Sequence, residues 1–221
     1  MIVDLSHTIR SGLVTYPGLP APAIRPHLTR EASRSIYAPG TDFAMDIIEM
    51  IGNTGTYLDS PFHRYRDGAD LASLSLETLV DLPAVVVRLR DAHRRAIDIN
   101  DLPRNIVSGS AVLFDTGWDR NFGTDAYPLD APYLTAAAAA ELAGRKIAIV
   151  GIDSINIDDI SPASAGARPA HSTLLKHGIH VVEHLANLSS VPAEGARFTA
   201  APPRIEGFGT FPVRAYAIIK D

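Results

Sequence analysis

Twelve consecutive residues, Gly52-Asn53-Thr54-Gly55-Thr56-Tyr57-Leu58-Asp59-Ser60-Pro61-Phe62-His63, carry a carboxamide, a phenol, a carboxylate and an imidazole among residues that bend the backbone. No other segment combines so many functional groups with so many turn formers. Within it, Asp59 and His63 flank Ser60-Pro61-Phe62, and far downstream a second pair, His171 and Glu183, repeats the combination of imidazole and carboxylate. Such groups drawn from two segments are a common way to hold a divalent ion. They can also move protons without one, with His63 as general base and acid. The plainer readings are a turn-forming Asp59 ahead of Ser-Pro and a hydrogen-bonded core His63.

Other sites compete less well. Ser60 neighbours both Asp59 and His63, yet no Gly-x-Ser-x-Gly elbow surrounds it, and a hydroxyl just before proline is more often structural. No phosphate-binding or dinucleotide glycine pattern is present. His177, His180 and His184 flank the second pair and read as surface or half-buried residues. His7 and His27 are weaker candidates, and His93 sits in a charged surface run. Trp118 reads as a pocket wall.

The elements that must position these groups alternate between short apolar runs and turn signals. Ile2 to Leu5 reads as an opening strand, and Pro20, Pro22 and Pro26 keep the next segment extended and non-helical, an arm over a pocket or a neighbouring subunit. Phe43 to Met50 reads as a strand delivering the motif to one end of a sheet. Ser75 is placed to cap a helical turn through Val80, ended at Asp81-Leu82-Pro83, with a buried strand from Ala84 to Leu89 after it. Asn100 and Asp101 are candidate caps of a short helix. Ala111 to Phe114 is a strand ending at Asp115-Thr116-Gly117-Trp118, a ligand-facing loop by its chemistry. Thr135, the alanine-rich run behind it and Gly144 predict a capped helix, and Ile147 to Ile152 a strand that completes a strand-helix-strand unit. His171 to His177 reads as a short helix, Ile179 to Val182 as a strand reaching Glu183, and Val213 to Ile219 as the last strand. The expected architecture is α/β, in one domain spanning residues 1–221.

Composition narrows the function classes. The 221 residues carry a formal charge of −5, which disfavours nucleic-acid and anionic-membrane surfaces, and contain no cysteine, which excludes disulfides, thiolate nucleophiles and thiolate metal sites. No apolar run approaches the about 20 residues that span a bilayer. With no signal peptide at the N-terminus, a cytoplasmic protein acting on a small molecule is the expectation.

The sequence resembles the metal-dependent cyclase-like hydrolases that include bacterial kynurenine formamidase and isatin hydrolase. Their signature reads H-x-G-T-H-x-D-x-P-x-H, and Asn53, Gly55, Thr56, Tyr57, Asp59, Pro61 and His63 stand at the corresponding positions. Asp4-Leu5-Ser6-His7, Tyr16-Pro17-Gly18, Thr116-Gly117-Trp118, Val150-Gly151-Ile152-Asp153 and the segment from His171 to Glu183 match further blocks, so the likeness spans nearly the whole chain. It implies a swivelling β/β/α-type fold, a homodimer or homotetramer, and hydrolysis of an amide or lactam by a metal-bound water. It also implies one metal on the first two motif histidines and the Asp, and a second on that Asp with a downstream His and Glu. The third motif histidine assists proton transfer.

This chain departs from the pattern at Asn53 and Tyr57, which replace the first two histidines. An amide oxygen and a phenol with pKa about 10 are poor ligands for such a metal at neutral pH. Asp59, His171 and Glu183, the second set, are retained, as is His63. Three functions follow. One is a hydrolase of a small amide, lactam or lactone with one divalent metal, zinc or manganese. There His63 moves the proton, and Tyr57 and Asn53 donate to the carbonyl oxygen. The second is a metal-free cyclase or lyase using the same acid and base groups. The third is a non-catalytic binder.

Overall fold

The computed structural model describes residues 1–90 and 94–220. The charged run around His93 therefore falls largely outside the described residues. In chain order the strands are β1 (Ile2–Asp4), β2 (Ala23–Leu28), β3 (Met45–Glu49), β4 (Tyr57–Asp59), β5 (Leu82–Arg88), β6 (Ala96–Ile97), β7 (Ala111–Asp115), β8 (Tyr133–Leu134), β9 (Ile149–Ile152), β10 (His180–Glu183), β11 (Ala196–Thr199), β12 (Thr210–Pro212) and β13 (Tyr216–Ile219). The helices are α1 (Arg30–Ser33), α2 (Ala136–Gly144) and α3 (Pro169–Lys176), with short 3-10 turns between elements.

Nine strands form one sheet in the order β1-β13-β11-β5-β7-β9-β10-β4-β12. Its centre, β5-β7-β9-β10, is parallel, and the crossovers between β7 and β9 and between β9 and β10 carry α2 and α3. Successive side chains in a strand point to opposite faces, and the central strands use both. Leu82, Ala84 and Val86 of β5, Leu113 of β7 and Val182 of β10 enter a core closed by Leu71, Leu79, Leu188 and Val191. Val112 and Phe114 of β7, Val150 and Ile152 of β9 and Val181 of β10 meet α2 and α3 on the other face. Burial on both faces explains why these strands read as unbroken apolar runs. Gly151 is required in the middle: a Cβ there would lie 2.6 Å from Leu185 and 2.7 Å from Leu113.

The mixed α/β fold and the strand-helix-strand unit around α2 follow the sequence. Thr135 caps α2 by accepting from the Ala138 amide. Several boundaries differ. Residues 45–49 form a strand, but it pairs with β2 in a separate two-stranded ribbon rather than joining the sheet that carries the motif. Leu76–Thr78 is a single 3-10 turn whose Ser75 hydroxyl turns to Glu77 instead of capping it. Strand β5 starts at Leu82 and includes Pro83, two residues earlier than expected, because β11 pairs with Leu82 and Pro83 there. The cap of the turn Ile99–Asp101 is Asp98, with Asp101 completing a capping box from inside. The last strand begins at Tyr216, not Val213. The loop after β7 is tied down from behind, while Thr116 and Trp118 border a cavity away from the motif. The amides of Thr116 and Gly117 donate to buried Asp153, and Asp115 pairs with Arg88 and Arg90.

Candidate active site

Strand β4 lies between β10 and β12. Glu183 faces Tyr57 across one ladder, while Thr210 faces Asp59 and Pro212 faces Tyr57 across the other. Opposed residues share a face, so Tyr57, Asp59, Glu183 and Thr210 project together toward α3, while Leu58 and Val182 enter the opposite core. The Asn53 loop reaches this edge because Gly52 lacks a side chain: a Cβ there would lie 2.1 Å from the Thr210 carbonyl oxygen.

Helix α3 opens with Pro169 at its first turn, and Asp158 accepts from the free amides of Ala170 (2.6 Å) and His171 (3.0 Å). The same carboxylate holds His171 Nδ1 at 2.7 Å. A carboxylate only accepts, so Nδ1 carries the proton and Nε2 is turned inward. Nε2 lies 3.4 Å from Asp59 Oδ2 and 3.5 Å from Glu183 Oε1. The potential ligand atoms of all three residues fall within 4.8 Å of one another, and all three residues are buried.

Three buried acceptors facing inward repel unless a positive charge sits among them, either a proton on Nε2 or a divalent cation. Electrostatics express the same demand. Burial pushes His171 down, but Glu183, Asp158 and Asp59 outweigh it and hold the imidazole at about 10. Burial lifts Glu183 to about 7 against the pull of His171. It also raises Asp59, but the hydrogen bond from His171 and the neighbouring imidazoles bring that carboxyl below its ordinary value. Two carboxylates and one imidazole, oriented from behind by Asp158, fit one zinc- or manganese-type ion.

Beside the triad stands a phenol rather than a further imidazole. Tyr57 is 2% exposed. Burial and the nearby Glu183 and Asp59 hold its hydroxyl well above its ordinary pKa. The phenol therefore remains a donor, and it donates to Glu183 Oε2 at 2.6 Å. This corrects the expectation that Tyr57 would donate to a substrate carbonyl; half-buried Asn53 remains on the cavity wall for that role. Behind Tyr57 the packing is aromatic. The His184 ring centre lies 5.0 Å away, its Nδ1 lies 2.8 Å from the Tyr127 hydroxyl, and His7 stacks on Phe122 at 3.7 Å. His180 and His184 are thus fully enclosed, at 3% and 0% exposure, not surface residues. Burial lowers them to about 4 and about 3, so both are neutral at pH 7.

His63 closes the turn Pro61–His63 and packs against Gly209, where a Cβ would meet its backbone nitrogen at 2.6 Å. Its Nδ1 lies 2.7 Å from Thr210 Oγ1, and that hydroxyl donates to Asp59 Oδ1. A hydroxyl has one proton to give, so His63 Nδ1 must donate and its Nε2 keeps the basic lone pair. Sequence reasoning passed over Thr210; the glycines of Gly207-Phe208-Gly209-Thr210, which permit close backbone approach, were the only signal. Ser60 is no nucleophile here, since its hydroxyl donates to the Gly209 carbonyl at 3.0 Å.

Asn53, Tyr57, His63, His171 and Glu183 line a cavity of about 380 Å³, walled by Arg64, Asn156 and Arg168 as well. The expected walls lie elsewhere. Trp118 borders a separate arginine-lined cavity and donates its indole N–H to the Tyr127 carbonyl (2.8 Å), and the proline-spaced arm forms part of the outlying ribbon. Among the described residues, no helix is long and apolar enough to cross a membrane.

The chain is similar to known proteins over most of its length. A family model described as "Putative cyclase" matches residues 3–159. The kynurenine formamidase of Erythrobacter litoralis is 29% identical over 204 residues, 92% of this chain and 87% of that protein. The crystal structure of an isatin hydrolase bound to the product analogue thioisatinate aligns with a TM-score of 0.82 at 26% identity, covering 99% of this chain and 92% of the other. A "predicted metal-dependent hydrolase" from Bacillus stearothermophilus aligns with a TM-score of 0.76 at 26% identity, covering 98% and 97%. Matched over most of its length by that family model and sharing its fold with these hydrolases, the chain belongs to the putative cyclase family.

Proposed function

We propose that this chain hydrolyses a small amide, lactam or lactone, with one divalent ion in the triad Asp59, His171 and Glu183 and with His63 moving the proton. The observation that carries this reading is the convergence of those three ligand atoms around a point that requires positive charge. The formamidase and isatin hydrolase relatives support C–N hydrolysis as the reaction class. A divalent ion bound there would supply Lewis acidity and an acidified water. His63 Nε2 accepts the water proton and returns it to the leaving nitrogen, or to the oxygen of a lactone. The water oxygen ends on the carbonyl carbon as that bond breaks. Thr210 keeps His63 in the required tautomer by accepting from Nδ1. Asn53 orients the carbonyl.

Metal analysis of protein purified without chelator tests the first half. About one zinc or manganese per chain, lost in His171→Ala, is expected; no metal after loading would sink it. Turnover of aryl formamides, abolished by His63→Ala with metal retained, tests the second half. The metal-free cyclase or lyase reading draws on the Tyr57–Glu183 pair, where a buried hydroxyl and a carboxylate share one proton. Turnover that survives exhaustive chelation would favour it. No turnover across an amide, lactam and lactone panel, with binding retained, would favour a binder.

A further inference from the structure

We propose that the substrate carries a carboxylate, held by Arg64 and Arg168 at the rim of the cavity while its reacting carbonyl faces Asp59, His171 and Glu183. This deepens the hydrolase reading and rests on it for the identity of the reacting group. Both guanidiniums line the same cavity of about 380 Å³ as His171 and Glu183 of the triad. Neither pairs with a carboxylate among the described residues, although nine other arginines do. Arg64 donates through Nε to Ser172 Oγ at 3.3 Å and lies over the Tyr65 ring at 5.6 Å. That contact fixes its plane and leaves both terminal nitrogens without a protein acceptor among the described residues. Arg168 donates through one terminal nitrogen to the carbonyls of Asp159 (3.2 Å) and Ala167 (2.8 Å), which anchors it immediately before α3. Its other nitrogens remain available.

Two anchored, unpaired guanidiniums beside two buried acids are not explained by stability. The acids are committed inward, to His171, Tyr57, Thr210 and the Ile157 amide, and no ion pair joins them to either arginine. An anion entering the cavity would meet the arginines first. Guanidinium forks match a planar carboxylate in two parallel hydrogen bonds, and such charge-assisted bonds contribute enough to set specificity. The reacting end of the same molecule is the uncharged carbonyl of the amide, lactam or lactone.

The test compares 2-formamidobenzoate with formanilide, which lacks the carboxylate, in wild type, Arg64→Ala, Arg168→Ala and Arg168→Lys. For the anionic substrate, each alanine variant should raise KM about tenfold or more with kcat nearly unchanged. Formanilide kinetics should not move. Lysine should restore part of the loss, since it keeps the charge without the fork. Added salt should raise KM only for the anionic substrate. Equal losses on both substrates would overturn the proposal. Arg168 also anchors backbone, so the exposed Arg64 variant keeps the test valid if Arg168→Ala misfolds. Binding of the product anion anthranilate, followed by calorimetry, separates the two failures. If neither formamide turns over but anthranilate binds and its affinity drops tenfold in Arg64→Ala, the hydrolase reading falls and the carboxylate site stands. If wild type fails to bind anthranilate, or Arg64→Ala binds it equally well, the carboxylate site falls.

Discussion

Glu183 has two carboxylate oxygens, and they face different chemistry. Oε1 accepts from the Ile157 amide at 2.6 Å and looks toward His171 Nε2. Oε2 accepts from the Tyr57 hydroxyl at 2.6 Å. On the first side every group is aimed from behind: Asp158 orients His171, and Thr210 links Asp59 to His63. On the second side, where the resemblance implies two metal-binding histidines, the neutral phenol of Tyr57 lies against His184, whose ring Tyr127 and Phe122 flank in turn. One half concentrates charge and needs a cation. The other presents a neutral phenol where the resemblance implies a metal-binding histidine. The lesson is that replacing ligands while keeping the fold requires the vacated polar space to be repacked as well as the donors removed.

Reversing the exchange gives the largest expected effect. Asn53→His combined with Tyr57→His should raise bound metal from about one to about two ions per chain, read by elemental analysis after loading. A stoichiometry that stays at one would mean the repacking, rather than the two ligands, closed that half. Weakening the intact half from behind comes next. Asp158→Asn leaves all three ligands in place but loosens the tautomer and aim of His171. Metal affinity should fall about 10- to 100-fold, measured by chelator competition; an unchanged affinity would show that Asp158 serves only to cap α3. Smaller again is Thr210→Val, which cuts the link between Asp59 and His63. It should lower kcat about tenfold at unchanged metal content, with Thr210→Ser restoring it. Equal kcat in Val and Ser variants would remove Thr210 from the mechanism.

The smallest effect reads the neutral half through folding. His184 and His180 have folded pKa values of about 3 and about 4, against 6.5 in the open chain. Below pH 6.5 the unfolded chain takes up protons that the folded chain refuses. Their stabilisation is therefore complete above pH 6.5 and is lost as pH falls toward 4, by about 1.4 kcal/mol per pH unit for each group. Asp153 and Glu183 work the other way, since burial lifts each to about 7 and the folded form gains those protons first as pH drops below 7. Two groups of each kind nearly offset one another, so the readout is the difference a single variant makes. In urea unfolding between pH 6.5 and 4.5, His184→Asn should lose less stability than wild type as pH falls, asparagine being a residue that tolerates the left-handed backbone found there (φ 57°). An unchanged slope would mean that His184 is reached by water.

Much of this was legible in the residues. Thr135, the alanine run and Gly144 defined α2 because caps and propensity act locally. Unbroken apolar runs identified β7 and β9 because both their faces are buried. Asp59, His63, His171 and Glu183 stood out because such groups are costly to enclose without a purpose. Where the reading failed, the deciding contact was remote. Residues 45–49 look like any half-apolar strand, and nothing local says that β2, rather than the main sheet, is their partner. His180 and His184 read as surface or half-buried residues because burial is set by the packing of Phe122 and Tyr127 around His184, not by the neighbours of these histidines in the chain.

By itself, then, the sequence determined which groups are available: no thiolates, one retained set of carboxylate and imidazole donors, and a motif that has lost two histidines. Tertiary structure decided what those groups do. Antiparallel pairing of β4 with β10 and β12 put Asp59, Tyr57, Glu183 and Thr210 on one face, and α3 carried His171 over them. The Tyr57 hydroxyl could have met a substrate; placed directly across the ladder from Glu183, it met a carboxylate instead. The cause is directional. A hydroxyl has a single proton to donate, and register, which depends on strands far apart in sequence, chooses the acceptor.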